Sequence, residues 1–330
     1  LQRKGSQQEE CQVPEFHDNY HFEQKRNDVL AVGELLVDLI PGEYDTAFSE
    51  SSFQPYFGGS PANIAMNIKK LGGSSAIASA VGNDGPGQFL LQRLAAEGIS
   101  SDLVAVTEES TSLVLLNKSI TSPTPVFYRN ADRQLSYSEE LELTLRDSKF
   151  LHFSCWPISM QPARETMQRL VKSAREQQVL IGFDPNYHPD IWQRGEDGAE
   201  YVKRVIGHAD IVKPSDDDAE RLFGPDTPQN QIEKFLELGA KLVILTLGKE
   251  GAIASNGTET LFFPTLAAEV ADTTGAGDAF WSGLYTALTQ GYSIQKAIML
   301  GFAVTAYKLK YTGAVVELPP LEKIKGIYNL

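Results

Sequence analysis

The sequence predicts an α/β fold: a central, mostly parallel sheet flanked by helices on both faces, with a small β-layer over one edge. Three observations carry this. From residue 150 onward, short apolar runs of strand length alternate with longer helix-like segments. Two strand-like pairs in the first 130 residues break that rhythm. Gly275, Ala276 and Gly277 form a turn with almost no side-chain bulk, and an apolar helical run follows it.

Taken in order, residues 1–27 mix Gln, Glu, Arg and Lys with no apolar period, which predicts a disordered or artificially appended extension. A single domain is expected over 28–330. Residues 29–33 read as a buried strand, 35–40 continue extended to Pro41-Gly42, and 53–57 form another short strand. Pro61 opens a helix to Leu71, because proline suits the first helical position. Residues 76–81 are a strand, and 88–97 a helix closed by Gly98. Residues 113–116 and 125–129 read as paired strands around a Ser/Thr/Pro loop. Strands at 150–153, 179–183, 211–213 and 242–247 then alternate with helices that include 162–177 and 229–238. Two long helices are expected at 279–288 and 293–309. The early strands, at about 35–57 and 112–130, fit neither crossover units nor the rhythm of the main sheet, so they are assigned to the separate layer.

Bulk properties narrow the function. Hydrophobic residues make up 42% and charged residues 22%, as in ordinary globular proteins, and no apolar run approaches a membrane span. The opening residues are polar, so no secretory signal is expected. The two cysteines, Cys11 and Cys155, are far apart and no C-x-x-C occurs, which points to a reducing cytoplasm and away from zinc. A net charge of -14 argues against nucleic-acid and acidic-membrane partners.

The chemistry concentrates in Asp272-Thr273-Thr274-Gly275-Ala276-Gly277-Asp278. Small residues at a helix start let backbone N–H groups approach an anion, and the helix dipole favours negative charge there. Asp278 would repel such an anion unless it works as a base while the cradle steadies a transferred phosphoryl group. The plainer reading is an N-cap on a tight loop. A second feature is Phe57-Gly58-Gly59-Ser60-Pro61-Ala62-Asn63. Its glycines permit close approach to a ligand, and Asn63 carries both a donor and an acceptor suited to a sugar hydroxyl. The plainer reading there is a Gly-rich helix entry with a surface Asn63.

Gly58-Gly59-x-Pro61-x-Asn63-x-Ala65, followed by Gly72 and Gly82, resembles the N-terminal motif of the PfkB, or ribokinase-like, carbohydrate kinases. Asp272 to Asp278 resembles their C-terminal motif, about 200 residues later and in the right order. The likeness runs over about 29–319. It implies a ribokinase-like fold with a β-sheet lid and ATP-dependent transfer to a sugar hydroxyl. Asp278 would be the catalytic base, and Gly275, Ala276 and Gly277 the anion hole. Within the family, Gly33-Glu34-Leu35-Leu36-Val37-Asp38 and Phe127-Tyr128-Arg129-Asn130 are most similar to fructokinases. Asp38 would then accept hydrogen bonds from the sugar, and Arg129 would reach it from the lid.

On the nucleotide side the resemblance implies Asn186 (in Phe183-Asp184-Pro185-Asn186), Lys213, Ser215, and Thr246, Gly248 and Gly251 of a glycine loop after a buried strand. Ser215 and Asp218 stand where many relatives carry Asn-x-x-Glu. Asp218 would organise Mg²⁺ through water but is one methylene shorter, and an acidic first helical turn explains it as well. Asp272 and Thr274 resemble the monovalent-cation site of ribokinase, where K⁺ would order the turn. The expected partners are ATP, Mg²⁺, a sugar and a second copy docked through the lid. Two alternatives to fructokinase stand. One is a kinase for 2-keto-3-deoxygluconate, ribose or a nucleoside. The other is a non-catalytic sugar binder on the same scaffold. A dinucleotide dehydrogenase is disfavoured, since no G-x-G-x-x-G follows an early strand.

Overall fold

The computed structural model describes residues 15–42, 52–116 and 125–330. Its strands are β1 (Asn27–Val32), β2 (Leu36–Pro41), β3 (Phe53–Gly58), β4 (Ser75–Gly82), β5 (Val104–Thr107), β6 (Leu113–Leu115), β7 (Val126–Tyr128), β8 (Ser148–Ser154), β9 (Leu180–Asp184), β10 (Ile211–Val212), β11 (Leu242–Thr246), β12 (Ala252–Ser255) and β13 (Thr260–Phe263). Its helices are α1 (Ser60–Leu71), α2 (Gly85–Ala96), α3 (Glu139–Arg146), α4 (Cys155–Ile158), α5 (Ala163–Glu176), α6 (Gly198–Ile206), α7 (Asp216–Phe223), α8 (Pro228–Glu237), α9 (Ala276–Thr289), α10 (Ile294–Lys308) and α11 (Leu321–Ile327).

Nine strands form one sheet in the order β13-β12-β11-β10-β9-β8-β1-β4-β5. The pairs from β11 through β10, β9, β8, β1 and β4 to β5 are parallel, and only the β11–β12–β13 end is antiparallel. The period of two within the buried strands sorts their side chains between two helical layers. Leu30, Val32, Leu151, Phe153, Ile181, Phe183 and Val212 join one core with residues of α5, α6 and α8. Val29, Ala31, Phe150, Ile211, Leu242 and Ile244 join the other with α1, α9 and α10. Strands buried on both faces explain why these runs are continuously apolar rather than alternating.

The expected separate layer is a four-stranded sheet, β3-β2-β6-β7, in which β2 and β6 are parallel and the outer pairs antiparallel. Residues 43–51 and 117–124 of the expected lid lie outside the described residues.

The expected disordered extension is corrected over 15–27. Phe16 is buried and faces Phe263. Phe22 lies 5.2 Å from Phe150, centroid to centroid, and Lys25 donates to the Ser148 carbonyl at 3.0 Å. Scattered aromatic residues give this polar segment enough apolar area to dock. Residues 1–14 lie outside the described residues. The β12–β13 hairpin was not anticipated, although Asn256-Gly257 at its turn is a hairpin signal.

Candidate active site

The chain leaves β1 for β4 on one side of the sheet and β8 on the other, which makes a crevice at the carboxyl ends of those strands. Glu34 follows β1, Asp184 ends β9, Lys213 follows β10, and the N-termini of α1 and α9 point into the same region.

α9 begins abruptly. Its N-cap, Gly275, takes the left-handed conformation at φ 74°, and no side chain caps the helix. A Cβ at Gly275 would also lie 2.9 Å from Ala314, so two constraints select glycine. An end without a side-chain cap leaves first-turn N–H groups for a ligand, although the Ala276 N–H donates to the Thr273 carbonyl at 3.1 Å. Gly277 borders a charged pair: a Cβ there would sit in ordinary contact, 3.6 Å from the Lys213 Nζ and 3.8 Å from Asp184 Oδ2.

Asp278 stands in that first turn, so the plainer expectation of an N-cap gives way to a residue inside the helix. Two residues of α1 hold it. The Ser60 hydroxyl donates to Oδ1 at 2.6 Å, and Asn63 Nδ2 donates to Oδ2 at 2.8 Å. Burial pushes the Asp278 carboxyl above the ordinary range, these two bonds pull it back, Asp184 pushes it up and Lys213 pulls it down. Each carboxylate oxygen keeps a second lone pair, so an alcohol proton can still be taken. Asn63, expected on the sugar, thus holds Asp278. Ser60 was not anticipated; its place immediately before Pro61 at a helix start was the available signal.

The glycine pair has separate tasks. Gly59, at φ 114°, passes so close to the Glu34 carbonyl oxygen that a Cβ would meet it at 2.4 Å. Gly58 makes room for Asp38, whose Oδ2 would lie 2.4 Å from a Cβ there. Asp38 is pushed up to about 6 by burial and then by Asp278. Glu34 is buried, accepts from the Ser60 backbone N–H at 3.0 Å, and is pushed up to about 8, chiefly by burial. Its carboxyl therefore stays largely protonated near neutrality. Glu34 was not assigned a role from sequence.

Arg129 requires a correction. Its guanidinium donates to Asp132 Oδ2 (2.5 and 3.0 Å), the Ser159 hydroxyl (2.5 Å) and the Ile191 and Trp156 carbonyls, and it stacks 4.4 Å over Trp156. A fork so fully engaged braces the lid against the body rather than reaching freely for a sugar.

On the nucleotide side, Lys213 Nζ pairs with Asp184 Oδ2 at 3.1 Å, and Trp281 Nε1 donates to the same oxygen at 2.8 Å. This buried pair borders the α9 turn, and Asp184 is a site residue that sequence reasoning quoted but did not select. Asn186 follows it at φ 37°. Asp218 turns inward. Its Oδ2 accepts from the Ser215 N–H and hydroxyl, its Oδ1 accepts from the Tyr187 N–H at 2.6 Å, and Ser215 Oγ accepts in return from the Asp218 N–H. That reciprocal box caps α7 and leaves Asp218 poorly disposed toward magnesium. Thr246 pairs across to Ser215 and donates to the Pro214 carbonyl. Gly248 takes φ 54°. Gly251, at φ 106°, lies where a Cβ would strike the Phe263 carbonyl at 2.1 Å, so its glycine serves the β12–β13 packing.

Among the described residues no group of three or more His, Cys, Asp or Glu is placed to hold a metal. An ion that arrives on ATP phosphates and keeps water ligands needs no such cluster. At the expected K⁺ position, Asp272 Oδ1 accepts from the Thr274 N–H and hydroxyl, Oδ2 accepts from the Gly313 N–H at 2.7 Å, and the Lys308 ammonium donates to the Asp272 carbonyl at 2.9 Å. Burial opposes ionisation of Asp272, but these bonds prevail and hold its carboxyl below the ordinary range. Donors thus already surround the oxygens that a monovalent cation would use, so this turn does not fit one.

This arrangement, a buried aspartate in the first turn of a helix with no side-chain cap, beside a small second sheet, accords with what comparison finds. The model of the pfkB family carbohydrate kinases matches residues 26–320. The ATP-dependent 6-phosphofructokinase of Thermoanaerobacterium thermosaccharolyticum is 56% identical over 315 residues, covering 96% of this chain and 98% of that protein. Probable fructokinase-5 of Arabidopsis thaliana is 30% identical over 88% of this chain and 94% of its own length. The structure of Halothermothrix orenii fructokinase superposes with a TM-score of 0.75 at 43% identity, covering 83% of this chain and 97% of that one. The chain belongs to the pfkB family of carbohydrate kinases and is an ATP-dependent sugar kinase.

Proposed function

We propose that this kinase phosphorylates a primary hydroxyl of fructose. Asp278 takes the hydroxyl proton, the alkoxide oxygen forms a bond to the γ-phosphorus of ATP, the bond from that phosphorus to the β-bridging oxygen breaks, and ADP leaves. The N–H groups of Gly275 and Gly277 stabilise charge on the transferring group, the Ala276 N–H holds the turn through the Thr273 carbonyl, and Lys213 offsets phosphate charge beside them. Mg²⁺ bound to the nucleotide would neutralise phosphate charge, with Asp184 the buried carboxylate on that side. Asp38 accepts hydroxyls of the sugar, and the β3-β2-β6-β7 sheet covers it and limits water access. The observation that carries this reading is Asp278, held by Ser60 and Asn63 in the first turn of an uncapped helix.

Free fructose is the first reading because the acceptor wall carries Asp38 and Asp278, while Arg129 is already paired. A phosphorylated acceptor would meet carboxylates there. The second reading is fructose 6-phosphate, favoured by the 56% identity to a 6-phosphofructokinase. Exposed Tyr56, Val126 and Tyr128 on the small sheet support pairing of two copies through the lid. The cytoplasm is the proposed compartment, supported by the free, buried Cys155.

The test is ADP release with Mg·ATP across fructose, fructose 6-phosphate, ribose, glucose, 2-keto-3-deoxygluconate and adenosine. Fructose is expected to lead. Preference for fructose 6-phosphate establishes the second reading. Sugar-induced thermal stabilisation without ADP release from any acceptor would replace both with a non-catalytic binder.

A further inference from the structure

The turn before α9 is fastened to the end of α10 and the segment after it. The Ala271 N–H donates to the Leu309 carbonyl at 2.7 Å, the Gly313 N–H to Asp272 Oδ2 at 2.7 Å, and the Thr305 hydroxyl to the Ala276 carbonyl at 3.3 Å. The fourth tie is different in kind. Lys308, in the last turn of α10, is fully buried, and its ammonium donates to the Asp272 carbonyl at 2.9 Å.

A buried ammonium is costly unless its charge is used. If Lys308 only filled space, a methionine would fill it without desolvating a charge. Its position has electrostatic logic. Burial lowers the Lys308 pKa below its ordinary value, Asp272 and then Asp278 oppose that shift, and the α10 C-terminus favours a cation. The charge lies behind the turn whose N–H groups form the anion hole, so it adds positive potential there without touching substrate.

We propose that Lys308 is the built-in cation of the anion-hole turn, a positioning residue whose ammonium does the work that an added potassium ion would do, so that phosphoryl transfer by this chain does not depend on potassium. The proposal rests on the kinase reading above and concerns the same site. Turnover of the wild-type protein is expected to be the same in potassium chloride and tetramethylammonium chloride. Lys308→Met is expected to lower kcat by about 10²-fold, the cost of a misplaced catalytic geometry, with KM little changed. Potassium or ammonium ions restore part of that loss, a rescue that a purely structural lysine would not show.

A second readout needs no turnover: the unfolding temperature without substrates. It is expected to be insensitive to the choice of cation in the wild type and to gain a potassium-specific rise in Lys308→Met. Potassium activation of the wild-type enzyme, or wild-type kcat in Lys308→Met, would overturn the proposal. So would potassium-specific stabilisation of the wild type, which can be read even if Lys308→Met fails to fold. A protein that turns over no acceptor would refute the kinase reading alone, since the unfolding measurements still decide the role of Lys308.

Discussion

Two helix starts in this molecule carry an aspartate in the same position and use it in opposite ways. In α7, Ser215 is the N-cap and Asp218 the third helical residue; in α9, Gly275 is the N-cap and Asp278 the third. Burial pushes both carboxyls above the ordinary range. In α7 the serine hydroxyl and the aspartate satisfy each other's backbone, and Tyr187 closes the remaining oxygen, so the end is sealed. In α9 the cap has no side chain, and the aspartate is held from outside by Ser60 and Asn63, so no side chain closes the first turn; its Ala276 N–H turns back to the Thr273 carbonyl at 3.1 Å. What separates these two helix ends is the residue at the cap rather than the acid behind it.

That contrast can be broken at the open end first. Gly275→Val forces a branched residue to φ 74° within reach of Ala314. It is expected to cost about 10²-fold or more in kcat, because the turn and its N–H groups must shift; steady-state kinetics check it. At the sealed end, Ser215→Ala should act on stability instead. A loss of about 1 kcal/mol in denaturant unfolding is expected for the missing cap, with kcat retained.

Smaller effects sharpen the picture through proton affinity. Ser60→Ala removes a bond that lowers the Asp278 pKa, so that pKa rises. The acid limb of the kcat profile should then move to higher pH by about one unit, the size of a lost charge-assisted hydrogen bond. An unmoved limb would mean that another group sets it. A further effect concerns Glu34. Its folded carboxyl sits at about 8 against an ordinary 4.5, so the folded state holds a proton that the unfolded chain has released. The folded protein therefore loses stability as pH rises from about 4.5 to about 8. Glu34→Gln cannot ionise. Its unfolding temperature should fall less than that of the wild type between about pH 6 and pH 8.

The elements that sequence reasoning could read were those whose own residues dictate them. Continuous apolar runs marked β1, β8, β9 and β11, and Pro61 and the 275–277 turn marked two helix starts. Local pattern could not show that Ser60 meets Asp278 across 218 residues, or that Lys308 reaches back 36 residues to Asp272. The partners of Arg129 were hidden for the same reason, since Asp132, Ser159, Trp156 and Ile191 converge on it only where the lid meets the body. Asp218 was expected to face Mg²⁺ because it stands where relatives carry the Glu of Asn-x-x-Glu, while the reciprocal bonds that cap α7 are geometry. Residues 15–27 were misread from average composition, where three aromatic rings counted for more.

The central claim is that an open cap makes Asp278 chemical and a closed one makes Asp218 structural. Measuring kcat of Asp278→Asn and Asp218→Asn side by side, with sugar affinity read by calorimetry, tests it directly. Asp278→Asn should lose about 10²–10⁴-fold, the range for a missing general base, while still binding sugar, and Asp218→Asn should stay within about tenfold of wild type. Near-normal turnover by Asp278→Asn, or an equal collapse in Asp218→Asn with its fold intact, would contradict the account.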